Sequence, residues 1–420
     1  MYQQSLLNNG LRVLTKTMPS TYSVSLAIFV GAGSRYESDK IAGSTHFLEH
    51  LLFKGTKHWP NAQDISEAIE GTGGIMNAST DREVTIYWCK IAKPHFKRSL
   101  SVLLDMVINP ILDPKEMEKE RQVILEELRM TYDYPSHRVD LLIDEMLWPN
   151  QPMGRDVGGT KDSVMAIDRN DLLDLMKKQY TPNNVVISVA GNVTHDEVLE
   201  ELSGPTMDWT PHPPLEWDPV RFEQNSAQIR VEYRRSEQAH ICVAVPSYSL
   251  YHPDRYALSL MNIILGEGMS SRLFLEIREK RGLAYDVHSS LNQFYDCGSL
   301  VVYCGSEPAR SPEALDEIMK QLSILREGFT EQEVTKAREY SKGRIMLRME
   351  DSRSVAMWQG AQELLLKEVL TIDEVISAID TVTVDDVNRV ARDLLNPDHL
   401  NLAIVGPFRS ERRFRNVFKL

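Results

Sequence analysis

The feature that most limits the fold of this chain is a repeat that spans most of its length. Residues 115–130 (KEMEKERQVILEELRM) are echoed by residues 333–349 (EVTKAREYSKGRIMLRM), and the apolar run at 185–191 is echoed at 400–406. The members of each pair occur in the same order and at a similar spacing. Two homologous α+β halves account for this pattern most economically.

A proline-rich segment lies between the two halves. Residues 204–219 contain five prolines and two tryptophans, and proline-rich stretches form semi-rigid spacers. We therefore expect an N-terminal domain at 1–207, a linker at 208–221 and a C-terminal domain at 222–420. About 200 residues are enough for each domain to build its own hydrophobic core.

The first half contains the sequence HFLEH at residues 46–50. Positions i and i+4 of a helix share one face, so His46 and His50 can reach one metal ion. Glu49 lies at the edge of that face, where it can take a proton from an attacking water. The order H-x-x-E-H is typical of the inverzincins, which reverse the zinc motif H-E-x-x-H. Taken alone, two histidines on a solvated helix face are the alternative interpretation.

A third metal ligand is expected from the helix predicted around residues 120–128. Catalytic zinc sites use three protein ligands and keep one position open. Glu120 and Glu127 are seven residues apart and share a helix face, whereas Glu126 is turned by about 100° from Glu127. The spacing leaves Glu126 and Glu127 as alternatives. The second half has no H-x-x-E-H, so only the first half can hold the metal.

Together these motifs resemble the M16 (pitrilysin) family of zinc metallopeptidases, which includes insulin-degrading enzyme and the mitochondrial processing peptidase. The LFKGT run at 52–56 extends the match beyond the second histidine. The resemblance implies two domains that each contain a mostly antiparallel sheet packed with helices. It also implies one Zn²⁺ per chain, bound by His46, His50 and Glu127, with Glu120 as an outer carboxylate that supports the site.

Two further blocks resemble functional parts of this family. The sequence GGIMNAST at 73–80 is similar to the edge strand that pairs with the substrate backbone, although by itself it would indicate an ordinary glycine turn and strand. The residues expected to bind substrate are Gly73, Gly74, Asn77 and Ala78. In the second half, Arg278 and Tyr285 match an Arg and Tyr that stabilise the oxyanion.

The resemblance implies a zinc-dependent endopeptidase that cleaves peptides or small unfolded polypeptides inside an enclosed chamber, with Glu49 as general base. At 420 residues the chain is similar to the short members, which pair as homodimers, so we expect a homodimer. The alternative is a non-catalytic partner or structural subunit of the same family. Such relatives usually lose part of the H-x-x-E-H set, which is complete here.

Composition bears on the partners and the location. The net charge of −13 disfavours nucleic acid as a partner. No apolar run approaches the ~18 residues that a membrane helix requires, and the N-terminus lacks the pattern of a secretory signal. The four cysteines form no C-x-x-C pair and suit a reducing compartment. We expect a cytoplasmic protein without a membrane anchor.

Overall fold

A computed structural model describes residues 2–420. The strands in this part of the chain are β1 Gln3–Leu6, β2 Arg12–Thr17, β3 Ser23–Val30, β4 Ile75–Thr80, β5 Thr85–Ala92, β6 Val185–Gly191, β7 Gln228–Tyr233, β8 Ala239–Ser247, β9 Ala284–Gln293, β10 Gly298–Ser306 and β11 Asn401–Gly406.

The α-helices are α1 Ser44–Leu52, α2 Ala62–Ile69, α3 Phe96–Ile108, α4 Pro114–Asp133, α5 Pro135–Leu147, α6 Lys161–Ala166, α7 Arg169–Gln179, α8 His195–Ser203, α9 Arg255–Gly266, α10 Ser311–Glu327, α11 Glu331–Arg348, α12 Ser352–Leu365, α13 Ile372–Thr381, α14 Val384–Leu394 and α15 Arg412–Arg415. A π-helical segment spans Phe274–Glu279.

The strands form two sheets that repeat one topology. The first sheet has the order β1-β2-β6-β3-β5-β4, and the second has the order β7-β11-β8-β10-β9. Apart from the parallel pairs β2/β6 and β7/β11, neighbouring strands are antiparallel. The second sheet thus corresponds to the first without β1. The expected α+β fold with two mostly antiparallel sheets is confirmed.

The chain groups into two compact units, each containing one sheet. The first comprises residues 2–128, 156–218 and 346–371, and the second comprises 129–155, 219–345 and 372–420. The passage from residue 218 to 219 lies inside the linker predicted at 208–221. The grouping differs from the predicted contiguous domains because each unit includes one helical segment from the other half of the sequence.

The two exchanged helices are held by burial of their apolar faces. In the second unit, α5 packs on β8 and β11, with Val139 and Leu142 fully buried. In the first unit, α12 packs on β3 and β6. Gly360 of α12 lies so close to the sheet that a Cβ atom built on it would be 2.0 Å from the Phe29 ring. The absence of a side chain at this position permits the close approach.

Helix α1, which carries the H-x-x-E-H motif, is fixed from two directions. Phe47, Leu48, Leu51 and Leu52 are buried in the core of the first unit. At the N-terminus, the buried carboxylate of Glu37 accepts hydrogen bonds from the backbone N–H groups of residues 43 and 45, at 2.7 and 2.6 Å. A carboxylate at this end satisfies amides that lack helical partners and interacts favourably with the helix dipole.

The fold can be compared with two expectations from the sequence, one about membrane-spanning helices and one about the cysteines. No helix within residues 2–420 combines the length and the apolar character needed to cross a lipid bilayer. The four cysteines are all buried, as expected for thiols in a packed interior.

The packing of α12 can be tested by adding one methyl group. Gly360→Ala should lower the free energy of unfolding by about 1–3 kcal/mol, because the buried Phe29 ring has no room to move aside. Gly343→Ala is the matched control in α11, since a Cβ atom at this position meets nothing within 4 Å. It should stabilise the helix by about 0.5–1 kcal/mol. Equal effects of the two variants in denaturant unfolding would contradict this packing.

Candidate metal centre

The two histidines of the motif face each other from α1. His46 Nε2 and His50 Nε2 are 3.3 Å apart, and the two rings meet edge to face with centroids 4.6 Å apart. Both side chains are partly buried. The i, i+4 spacing therefore brings two imidazole nitrogens together on one face of α1.

Glu127 of α4 completes a cluster of three groups. Its Oε2 lies 3.5 Å from His50 Nε2 and 3.9 Å from His46 Nε2. Among the described residues, these three side chains form the one group of histidine, cysteine or acidic residues with ligand atoms within 4.8 Å of one another. The structure thus brings Glu127 to the histidines, a choice that helical spacing had left open between Glu126 and Glu127.

The cluster has the chemistry and the spacing for zinc. Two nitrogen ligands bound tetrahedrally to one zinc ion at about 2.0–2.1 Å lie about 3.3 Å from each other. The nitrogen atoms of His46 and His50 have this separation. Two imidazoles and one carboxylate also form a common donor set of catalytic zinc sites with an open fourth position. The residues present therefore fit a zinc ion.

Glu120 supports His50 from the other side of its ring. Glu120 is buried, and its Oε2 lies 3.2 Å from His50 Nδ1. Because a carboxylate accepts a hydrogen bond from Nδ1–H, the Nε2 lone pair of His50 points towards the cluster. The other oxygen, Oε1, is 2.7 Å from Lys54 Nζ. The resemblance implies an outer carboxylate at Glu120, and this role stays a prediction.

The environment of His46 differs from that of His50. Its Nδ1 atom is buried and has no hydrogen-bonding partner in the described chain. Burial, followed by the charge of His50, lowers the pKa of His46 to about 4. The imidazole is therefore neutral at pH 7, which is the form that binds a metal.

Glu49 lies beside the cluster and is held by one hydroxyl group. Its Oε2 accepts a hydrogen bond from Thr80 Oγ1 in β4. Burial raises the pKa of Glu49 above its usual value, and the hydrogen bond from Thr80 counteracts part of this rise. A carboxylate with a raised pKa is better suited to accept and return a proton near neutral pH.

The block GGIMNAST forms an edge strand preceded by a turn. Within residues 2–420, strand β4 is the last strand of the first sheet and pairs only with β5, so its outer edge has no strand partner. Gly73 has φ of 78°, a left-handed conformation that ends the preceding turn. The strand therefore begins at Ile75, two residues later than the sequence suggested. Asn77 and Ala78 lie within it, and Gly73 and Gly74 lead into it.

Arg278 and Tyr285 belong to the second unit, where they contact each other. The Arg278 guanidinium carbon lies 4.7 Å from the centre of the Tyr285 ring and 4.8 Å from that of Phe274. Arg278 is part of the π-helical segment, a conformation that occurs frequently at functional sites. Tyr285 is 77% exposed. Their role in oxyanion binding stays a prediction.

Three residues that support the site were not identified from the sequence. Glu37 binds the N-terminus of α1, Lys54 binds Glu120, and Thr80 binds Glu49. Lys54 and Thr80 fall inside the blocks LFKGT and GGIMNAST, so the resemblance could have drawn attention to them. Glu37 is one acidic residue among many in the sequence, and no motif distinguishes it.

Comparison with known proteins identifies relatives along most of the chain. Residues 12–161 match a family model described as insulinase (peptidase family M16), and residues 166–340 match one described as the peptidase M16 inactive domain. An uncharacterized zinc protease of Streptomyces coelicolor is 35% identical, over 98% of this chain and 91% of that protein. One of Bacillus subtilis is 34% identical, over 97% and 98%.

A solved structure shows the same fold. A protease from Helicobacter pylori superimposes with a TM-score of 0.88, covering 97% of this chain and 99% of that one at 23% identity. The whole two-sheet architecture is therefore shared, including both halves of the repeat.

Metal binding can be tested by removing one ligand. His46→Ala should lose most of the bound zinc, because two remaining donors hold the ion far more weakly than three. His137→Ala, which changes an exposed histidine of α5, should keep the zinc content of the unmodified protein. Elemental analysis of the purified proteins measures both. Unchanged zinc in His46→Ala would remove His46 from the ligand set.

Proposed function

This chain belongs to the M16 family of peptidases, and we propose that it is a zinc-dependent endopeptidase of peptides and small unfolded polypeptides. The observation that carries the proposal is the meeting of His46, His50 and Glu127 beside Glu49. Three metal-binding groups and one carboxylate base are the groups that a zinc-assisted attack of water on an amide uses.

The role of each side chain in the proposed reaction follows from its position. Zinc held by His46, His50 and Glu127 would lower the pKa of a bound water towards about 7 and polarise the peptide carbonyl. Glu49 accepts the proton of the attacking water at Oε1, because its Oε2 is engaged by Thr80. The same carboxyl group then returns the proton to the leaving amine.

The open edge of β4 gives the substrate an extended binding site. A peptide that pairs with β4 is held through main-chain hydrogen bonds, so recognition depends weakly on its side chains. Glu49 contacts Thr80 at the last position of this strand. A substrate aligned along β4 therefore runs towards the carboxylate that performs the proton transfer. This arrangement suits an extended polypeptide better than a small non-peptide substrate.

Arg278 and Tyr285 are proposed to stabilise the negative charge that develops on the carbonyl oxygen. The guanidinium group and the phenol are both hydrogen-bond donors, and the contact between them orients the guanidinium over the ring. We further propose that two chains form a homodimer in the cytoplasm. The length of 420 residues, which is similar to that of the short family members, supports the homodimer. The four cysteines, which form no C-x-x-C pair, support the reducing environment of the cytoplasm.

The role of Glu49 can be separated from metal binding. Glu49→Gln should keep zinc, because the three ligands are intact, and should lower kcat by at least about 10²-fold, because the amide accepts no proton. Cleavage of a quenched-fluorescent peptide, together with zinc analysis, measures both. Glu126→Gln on α4 is the matched control and should retain activity. Full turnover by Glu49→Gln would exclude Glu49 as the general base.

Removal of the proposed oxyanion-binding groups should affect kcat and leave metal binding intact. Arg278→Leu and Tyr285→Phe should each lower kcat by about 10- to 10³-fold and leave the zinc content unchanged, because they contact the transition state and bind no metal. Arg310→Leu in the same unit removes another arginine, paired with Glu313, and should have little effect on kcat. Wild-type kcat in both Arg278→Leu and Tyr285→Phe would contradict the assignment.

A further inference from the structure

Thr80 makes a contact that fixes the orientation of the Glu49 carboxylate. Among the described residues, its hydroxyl is the one side-chain group that hydrogen-bonds to Glu49. Glu49 is a partly buried carboxylate on a long, flexible side chain, and it needs a donor to select one orientation. The donor in this site comes from β4, whereas Glu49 itself comes from α1.

The hydroxyl of Thr80 donates to the Glu49 carboxylate, and a neighbouring hydroxyl does not compete for this role. Thr85 is buried and lies opposite Thr80 in the β4/β5 pair. Its hydroxyl is 3.0 Å from the carbonyl oxygen of Ala32 and 3.5 Å from Thr80 Oγ1. The single proton of Thr85 therefore goes to the closer carbonyl. Thr80 is left with its own proton for the carboxylate of Glu49, which can only accept.

The same contact ties the base to the substrate strand. Thr80 is the last residue of β4, and its backbone is held in register opposite Thr85. The position of its hydroxyl is therefore set by the strand whose outer edge is open to a peptide. One oxygen of Glu49 is bound to that strand, which leaves the other oxygen for the proton transfer of the proposed reaction.

From this geometry we propose that Thr80 is a positioning residue for the reaction, one that orients Glu49 and couples it to the substrate-binding strand. The inference rests on the proposed function and adds to it a determinant of kcat that lies outside the metal ligands. A base displaced by about 1 Å can lose on the order of 10² in rate. The main chain of β4 is held by its pairing with β5, so we expect peptide binding to be unchanged when the Thr80 hydroxyl is removed.

The test compares Thr80→Val, which replaces the hydroxyl with a methyl group of similar shape, with Thr80→Ser, which keeps the hydroxyl. Thr80→Val should lower kcat by about 10- to 100-fold, with KM within about threefold of the unmodified protein and zinc content unchanged. Thr80→Ser should recover kcat to within about threefold. Zinc analysis and thermal unfolding establish that both variants are folded and loaded.

Thr335→Val is the matched control, because it removes a threonine hydroxyl that donates to a glutamate, Glu331, at 3.3 Å on an exposed part of α11. It should leave kcat unchanged. The proposal is overturned if Thr80→Val keeps wild-type kcat, if Thr80→Ser is as impaired as Thr80→Val, or if the loss lies in KM alone. If the unmodified protein cleaves no peptide, the proposed function fails and the role of Thr80 falls with it.

Discussion

The rest of the site depends on how α1 is held. A helix of nine residues is too short to be stable by itself in water, so its rotation is set by its surroundings. Burial of Phe47, Leu48, Leu51 and Leu52 turns one face into the core, and the carboxylate of Glu37 binds the N-terminal amides. The remaining face presents both histidines and Glu49 as a consequence.

Helix α4 contributes the acidic side chains of the site, because Glu120 and Glu127 are separated by seven residues. Two helical turns place both carboxylates on the side of His50, where they act in different ways. Glu120 is buried against Nδ1 and orients the ring, whereas the more exposed Glu127 reaches the Nε2 atoms. One face of α4 thus supplies both Glu127, a candidate metal ligand, and Glu120, the carboxylate that orients the His50 ring.

Local patterns predicted the site better than they predicted the packing of the whole chain. The periodicity of residues 46–50 and 120–127 was sufficient to place the histidines and acids on helix faces, which α1 and α4 provide. The exchange of α5 and α12 between units could not be predicted, because an apolar helix face does not specify which of two similar sheets will bury it. Contacts such as Thr80 with Glu49 depend on tertiary packing, which no spacing rule describes.

We propose that the cluster of His46, His50 and Glu127 binds one catalytic zinc ion. The most direct measurement is an anomalous diffraction map, recorded at the zinc edge, from crystals of protein purified without added metal. We expect one peak per chain, about 2.0–2.2 Å from His46 Nε2, His50 Nε2 and a Glu127 carboxylate oxygen. A zinc-loaded crystal with its peak elsewhere, or a cluster that stays metal-free in excess zinc, would contradict the account.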